Sequence, residues 1–524
     1  MQRNKTNFQF TEEPKQMALN RTYRFRIILA LCAIVLSQSN ILAQEVSFES
    51  IQPDWVALDF PELAQRAPSD IVDDLRRGDY DQARAKLIEA AQSVDDESTQ
   101  QFFMHEAERI RRIQRDYSLD LDGLKRALDS RVEGWTEKEL NQWLNEGRFD
   151  MRILQGVPRF LGASASNLYF RYPELRSRWL RSDYSAFGAA RLKTAQYALN
   201  TSQADDETQG ARRFHIRMTV SVEDGAVQPG ETVRCWLPYP KETSFQRDVT
   251  FISSSHTSSI ASNDAPHRSI YMEQTATEFP PVFEIEYAYT ALPRYDAIDP
   301  DKVTNDLPAD VSKFLKEKHP QIRFHQEFIQ LADSIVGDET NPYQVAFKLY
   351  EWIGQYADYS FAREYSTLND IPMYVLRNRY GDCGQLALLY MTLCRIKGIP
   401  ARWESGWMIY PEGKNLHDWT SIYLSPYGWV PVDPNFGLEA WKNWGGLKQE
   451  ERELLSRFYF GRLSPYRLVA NDEFGEPHTP IKRFPRSDTV DFQRGELETD
   501  SENLYFNQFD YTLEILSDEP FMQE

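Results

Sequence analysis

"RYGDCGQLALLYMTLCRIKGIPAR", Arg379 to Arg402, sets a cysteine at the mouth of an apolar run and stops that run with Gly-Ile-Pro. Asp382 is a good N-cap residue, and Gln385 three positions on completes a capping-box pattern. Leu386, Leu389, Tyr390 and Leu393 recur at i, i+3, i+4 and i+7, one face of a helix. Gly398 is the expected stop, and Pro400 prevents continuation. The spacing therefore puts Cys383 in a first helical turn, beside free backbone N–H groups and the positive end of the dipole. Such a position favours thiolate over thiol. Cys394, three turns deeper on the apolar side, reads as core filler. On one continuous helix the two cysteines lie roughly 16 Å apart, beyond disulfide reach.

An activated thiol needs a base and something to orient it. The candidate base is in "LHDWTSIYLSPYGWVPVDPNFG", residues 416–437. His417 opens an alternating strand, Ser425-Pro426-Tyr427-Gly428 is a turn, and Trp429 to Asp433 reads as the returning strand. The hairpin brings His417 and Asp433 near each other, with an offset that a bulge could absorb. His417 would then take the proton of Cys383, and Asp433 would hold the imidazole in the needed tautomer. Each residue alone has a plainer reading: a histidine is commonly a satisfied core or surface residue, and Asp433 before Pro434 could simply begin a turn. The combination in this order is what points to a site.

Three motifs, "YGDCGQLALLYMTLCRIKGIPARWESGW", "HDWTSIYL" and "GWVPVDPNFG", resemble the core motifs of the transglutaminase-like superfamily. The resemblance spans roughly residues 340–437. It implies a papain-like core with Cys383 as nucleophile, His417 as general base and Asp433 as orienting acid. It further implies that Trp419 and Trp429 pack the site, and that Tyr359, in the upstream "LYEWIGQYADYS", is a candidate oxyanion donor beside the Cys383 backbone N–H. Three readings follow: a thiol hydrolase acting on an amide through an acyl-enzyme, a protein-glutamine transglutaminase with an amine as acceptor, and a non-catalytic binding scaffold. The hydrolase leads, because many bacterial members of the superfamily are thought to be hydrolases.

The remaining chain is read by composition and period. The apolar and charged fractions, 41% and 26%, are those of an ordinary globular protein. With 59 Lys plus Arg against 79 Asp plus Glu, the net charge of −20 argues against nucleic acid as a partner. Arg21, Arg24 and Arg26 followed by the apolar run Ile27 to Leu36 and the small residue Ala43 form an export-signal pattern over residues 1–43, with Met17 an alternative start. That run is short for a bilayer, so no integral membrane segment is expected in the mature chain. The expected location is secreted or periplasmic, and the expected partner is a peptide or other amide-bearing polymer. Removing Cys32 with the leader leaves Cys235, Cys383 and Cys394, an odd count, so at least one thiol is free or bridges to another chain. No cofactor is expected, and His105 in "HEAER" lacks the second histidine of a zinc-protease pattern, so no metal site is expected either.

The expected architecture is α+β and multidomain. A mostly helical region covers 45–200, including a helix pair broken near Gly78 and a capping box at Thr136 and Glu139. A polar linker, 201–210, precedes an antiparallel β-sandwich-like domain at 211–295, where Phe214, Ile216, Met218 and Val220 alternate with polar neighbours. The catalytic core is expected at 300–437, and 438–524 is read as a C-terminal extension.

Overall fold

The computed structural model describes residues 53–181, 185–201, 210–295 and 297–521, which lie within one compact unit, Val46–Glu524. The leader expected at 1–43, with Cys32, lies outside the described residues, as does most of the expected linker at 201–210. The architecture is α+β: a helical N-terminal region, an antiparallel sandwich and a core of helices on a sheet.

Helices Ser69–Arg77 and Tyr80–Ser93 meet at Gly78, whose φ of 83° closes the first helix in the left-handed region. Helix Glu137–Asn145 begins at the expected Thr136–Glu139 capping box. Strands Met151–Leu154 and Val157–Phe160 form a hairpin after it.

Residues 212–291 supply strands to two facing sheets. One runs in the order Asn503–Leu504, Glu496–Glu498, Thr232–Pro238, Ser269–Thr275, Ser258–Ile260; the other runs Phe509–Pro520, Arg212–Val222, Val282–Ala291, Gln246–Ser254. Along Arg212–Val222 burial alternates as the sequence pattern demands, with Phe214, Ile216, Met218 and Val220 all at 0% exposure. The C-terminal stretch is therefore no appendage: strand Phe509–Pro520 zips along Arg212–Val222, and Glu496–Glu498 pairs with Thr232–Pro238. The chain closes its own sandwich with its last strands, and the segment between Asn471 and Glu496 is drawn across the core.

In the core, helix Cys383–Ile396 starts at the expected Asp382–Gln385 capping box and runs unbroken past Cys394. It is buried from Gly384 to Arg395, all round rather than on one face. The cause is its central place: helices Gln326–Val336, Pro342–Tyr356 and Ile371–Asn378 cover one side, and a sheet in the order Gly428–Val432, Gly413–Leu424, Ala401–Tyr410, Arg467–Asn471 covers the other. Cys235, Cys383 and Cys394 are all free thiols. Cys235 and Cys394 are fully buried, and burial lifts the Cys394 thiol to about 12.

Buried charges join the helical region to the core. Asp59 pairs with Arg152 and Arg363, and burial, which alone would raise its carboxyl, is overcome by the two guanidinium groups, leaving it at about 2. Asn167 exchanges two hydrogen bonds with the backbone of Phe361, at 3.1 and 2.8 Å. Arg109 donates to the carbonyls of Asp59 and Thr367. These contacts fix the segment from Tyr359 to Thr367, which walls the cavity described next.

Candidate active site

The hairpin register explains how His417 reaches Asp433. Strand Gly413–Leu424 pairs with Gly428–Val432 from Leu424↔Gly428 to Thr420↔Val432. Straight continuation would set Asp433 opposite Trp419, two residues short of His417. Instead the chain leaves the sheet at Asp433, which caps helix Pro434–Lys442 by accepting from the Phe436 N–H at 2.9 Å. Its other carboxylate oxygen then reaches His417 Nε2 at 2.7 Å. A cap, not a bulge, absorbs the offset.

Arg467, from the last strand of the core sheet, donates to the same Asp433 oxygen at 2.6 Å. His417 and Asp433 are 2% and 0% exposed. Burial pushes Asp433 up, but His417 and Arg467 outweigh it and hold the carboxyl below its ordinary range. For His417 burial dominates: its pKa is lowered, with Asp433 opposing and Arg467 assisting. The imidazole is thus neutral at neutral pH and oriented through Nε2. Its ring is clamped between Trp419 and Phe436, with centroids at 5.9 and 4.3 Å. Trp419 is further fixed by donating to Glu404 at 2.8 Å. Trp429 packs elsewhere: its ring meets Phe314 and Tyr423 on the far side of the hairpin.

Cys383 is the first residue of its helix, and it shares a cavity of about 200 Å³ with His417, Phe436, Tyr359 and Phe361. Its thiol differs from expectation. Sγ lies 3.5 Å from Asp418 Oδ2 and donates to it. Burial, then the charges of Asp418 and Asp382, push the thiol pKa well above its ordinary value. Carboxylates a few ångströms away outweigh the partial charge of a helix end. The resting cysteine is a neutral thiol.

Gly384 makes this proximity possible. A Cβ at that position would strike the Tyr365 hydroxyl and Asp418 Oδ2, so glycine lets the helix start press against the strand. Tyr365 donates to Asp382 at 2.7 Å and lies 3.2 Å from Asp418. Gln493 donates to the His417 carbonyl at 2.9 Å and to Asp418 at 2.5 Å. Asp418 also touches Asp491, and burial followed by that neighbour's charge raises its pKa well above the carboxylate range.

Three of these partners, Arg467, Asp491 and Gln493, come from the C-terminal stretch, where no local pattern marks them. Asp418 is visible in the sequence as the residue after His417 and the one acid of strand Gly413–Leu424. Tyr359 lines the cavity. Among the described residues no three His, Cys, Asp or Glu side chains group as metal ligands, and no helix is long and apolar enough to cross a membrane.

Residues 329–434 match the transglutaminase-like superfamily. An uncharacterized protein of Bacillus subtilis (strain 168), YebA, is 23% identical over 154 residues, 24% of this chain and 21% of its own length, so the likeness spans about a fifth of that relative. A candidate cysteine protease from Cytophaga hutchinsonii aligns over 59% of this chain and 91% of its own, at 17% identity and a TM-score of 0.38. The periplasmic domain of TgpA from Pseudomonas aeruginosa aligns over 51% of this chain and 96% of its own, at 14% identity and a TM-score of 0.24.

Proposed function

We propose that the transglutaminase-like core of residues 329–434 belongs to an exported, thiol-dependent amide hydrolase acting through Cys383, His417 and Asp433. The observation that carries this reading is the 2.7 Å bond from His417 Nε2 to Asp433, made by a ring that shares a cavity with Cys383. With Nε2 engaged, Nδ1 is the ring atom left to accept a proton.

Because thiol and imidazole both rest neutral, the nucleophile forms as it attacks. Sγ bonds to the amide carbon while its proton passes to His417 Nδ1, and the carbonyl oxygen becomes an oxyanion. The Cys383 N–H, unpaired at the helix start, is a donor for that oxygen. The imidazolium, stabilised by Asp433, returns the proton to the departing amine as the C–N bond breaks. Water then attacks the thioester carbon, again giving a proton to His417, and the acid product leaves as the thiol is restored. The helical region is assigned the role of buttress, since Asp59 and Asn167 bind the segment that walls the cavity. The export reading rests on the basic flank and apolar run between Arg21 and Leu36.

The test is a peptide-amide library with products read by mass spectrometry. Cys383→Ala should abolish turnover, and Cys394→Ala should lower stability only. Loss of activity in Cys394→Ala at full stability would overturn the assignment, and incorporation of an added amine in place of water would move the protein to the transferases.

A further inference from the structure

We propose that the cavity lined by Cys383 and by helix Pro434–Lys442, about 200 Å³ in volume, is a subsite for a phenolic side chain of the substrate, with Glu439 reading its hydroxyl. This deepens the hydrolase reading and rests on it. Two clusters of rings line the cavity. Phe170, Tyr359 and Phe361 form one, with centroids 4.7, 5.5 and 5.7 Å apart, and Phe436 with Trp444, 5.3 Å apart, form the other. Such walls receive a flat aromatic guest by edge and face contact. Phe170 comes from helix Ser164–Arg171, so the helical region builds part of the subsite as well as supporting it. The cations that line the cavity, Arg191 and Lys414, set it against an ammonium guest. Arg191 is already paired with Glu412 at 3.2 Å and Lys414 is exposed, so neither is a buried partner waiting for a carboxylate.

Glu439 narrows the choice among aromatic guests. It lines the same cavity at 6% exposure. Asn443, itself oriented by accepting from Arg176 at 2.7 Å, donates to Glu439 Oε1 at 3.1 Å. Oε2 has no hydrogen-bond partner among the described residues, and it keeps open surface, unlike the occluded Oδ1 of Asn435 one turn earlier. A buried carboxyl oxygen that opens on a cavity without a partner is a polar handle for whatever fills it. Burial raises this carboxyl to about 8, so at neutral pH it is protonated and can donate as well as accept. A phenol answers both ways, whereas a benzyl ring leaves Oε2 unpaired. Placement agrees: Glu439 is six residues beyond Asp433, roughly 9 Å along the helix, and Asp433 holds His417. A side chain rooted beside Cys383 therefore has to be long to meet it, and tyrosine carries its hydroxyl at the far end of a ring.

The test is calorimetric titration of full-length Cys383→Ala with blocked tripeptide amides carrying tyrosine, phenylalanine, lysine or glutamate at the centre. At pH 7 the tyrosine peptide should bind at least about fivefold tighter than phenylalanine, and both should bind tighter than lysine or glutamate. Adding Glu439→Leu should bring tyrosine and phenylalanine to equal affinity, whereas Glu439→Gln, which keeps a hydrogen-bonding tip, should preserve most of the ratio. Adding Phe170→Ala should weaken both aromatic peptides several-fold and leave their ratio in place. Each ratio is taken within one protein, so a general loss of stability does not mimic it. Equal binding of tyrosine and phenylalanine, a preference for lysine or glutamate, a ratio unmoved by Glu439→Leu, or no binding of any peptide at millimolar concentration would overturn the subsite. Binding to a protein that cannot turn over is independent of the nucleophile assignment, so failure here and failure of the hydrolase reading are told apart.

Discussion

Cys383 Sγ gives its hydrogen bond to Asp418 Oδ2, 3.5 Å away, while His417, one residue earlier on the same strand, turns its Nε2 to Asp433. The Cys383 thiol therefore rests against an acid, and the imidazole proposed as its base is held by a different one. Alkylation of Cys383 by iodoacetamide should accordingly climb with pH beyond the range of a free thiol, with no plateau at low pH. Asp418→Asn alone leaves one negative charge, on Asp491, and should move the profile little. The double variant Asp418→Asn/Asp491→Asn removes it and should lower the apparent thiol pKa by roughly one unit or more. An unchanged profile in the double variant would mean that these carboxylates do not set the thiol.

Arg467 tunes the base through Asp433. Its charge helps to hold the His417 pKa down, so Arg467→Met should raise it. Catalysis needs neutral imidazole and is lost as pH falls through that pKa, so the acid limb of the rate profile should move up by roughly one pH unit. The variant also strips a buried partner from Asp433, a change that typically costs about 3–5 kcal/mol. A profile that keeps its acid limb while stability drops would make Arg467 purely structural.

Gly384→Ala should disable the site, because the added methyl meets Tyr365 and Asp418. Overpacking of this kind costs about 1–3 kcal/mol, and activity should fall further than stability explains. Gly354, in helix Pro342–Tyr356, has open space where its Cβ would be. Gly354→Ala should stabilise by about 0.5–1 kcal/mol, which urea unfolding would read. Equal behaviour of the two variants would sink the close-approach argument.

His267 and His478 are buried at 1% and 2% exposure, with none of their four ring nitrogens hydrogen-bonded, beside Phe492 and Trp236. Burial, then Arg486, holds both well below the ordinary histidine pKa, so the folded protein keeps them neutral. Below about pH 6.5 the unfolded chain takes up protons that the folded one refuses. Each histidine then removes about 1.4 kcal/mol of stability per pH unit until its folded pKa is reached. The aspartates around Cys383 act with the opposite sign, since their raised pKa values favour the fold as pH drops. The informative quantity is the difference: His478→Phe should lose less stability than wild type between pH 7 and pH 5 in denaturant titrations. Parallel losses would refute the assignment.

The helix at Cys383 was legible because its cap, its period and its stop are all local, and the His417–Asp433 pair because a hairpin is local too. What escaped is non-local. Arg467 reaches the site because strand Arg467–Asn471 pairs with Ala401–Tyr410, and Asp491 and Gln493 because the chain passes the core before Glu496–Glu498 pairs with Thr232–Pro238; no periodicity near those residues encodes either pairing. The thiolate expectation failed because burial by the surrounding fold and the charge of Asp418, from a distant strand, join that of neighbouring Asp382 in outweighing the helix end.

The carboxylate wall also bears on how long the protein survives unoccupied. It is the thiolate, not the thiol, that attacks peroxide and disulfides. A cysteine that its neighbours keep protonated is thereby a poor target for oxidation, even in a compartment that oxidises exposed thiols. The residues that raise the Cys383 thiol pKa thus give a free cysteine chemical shelter.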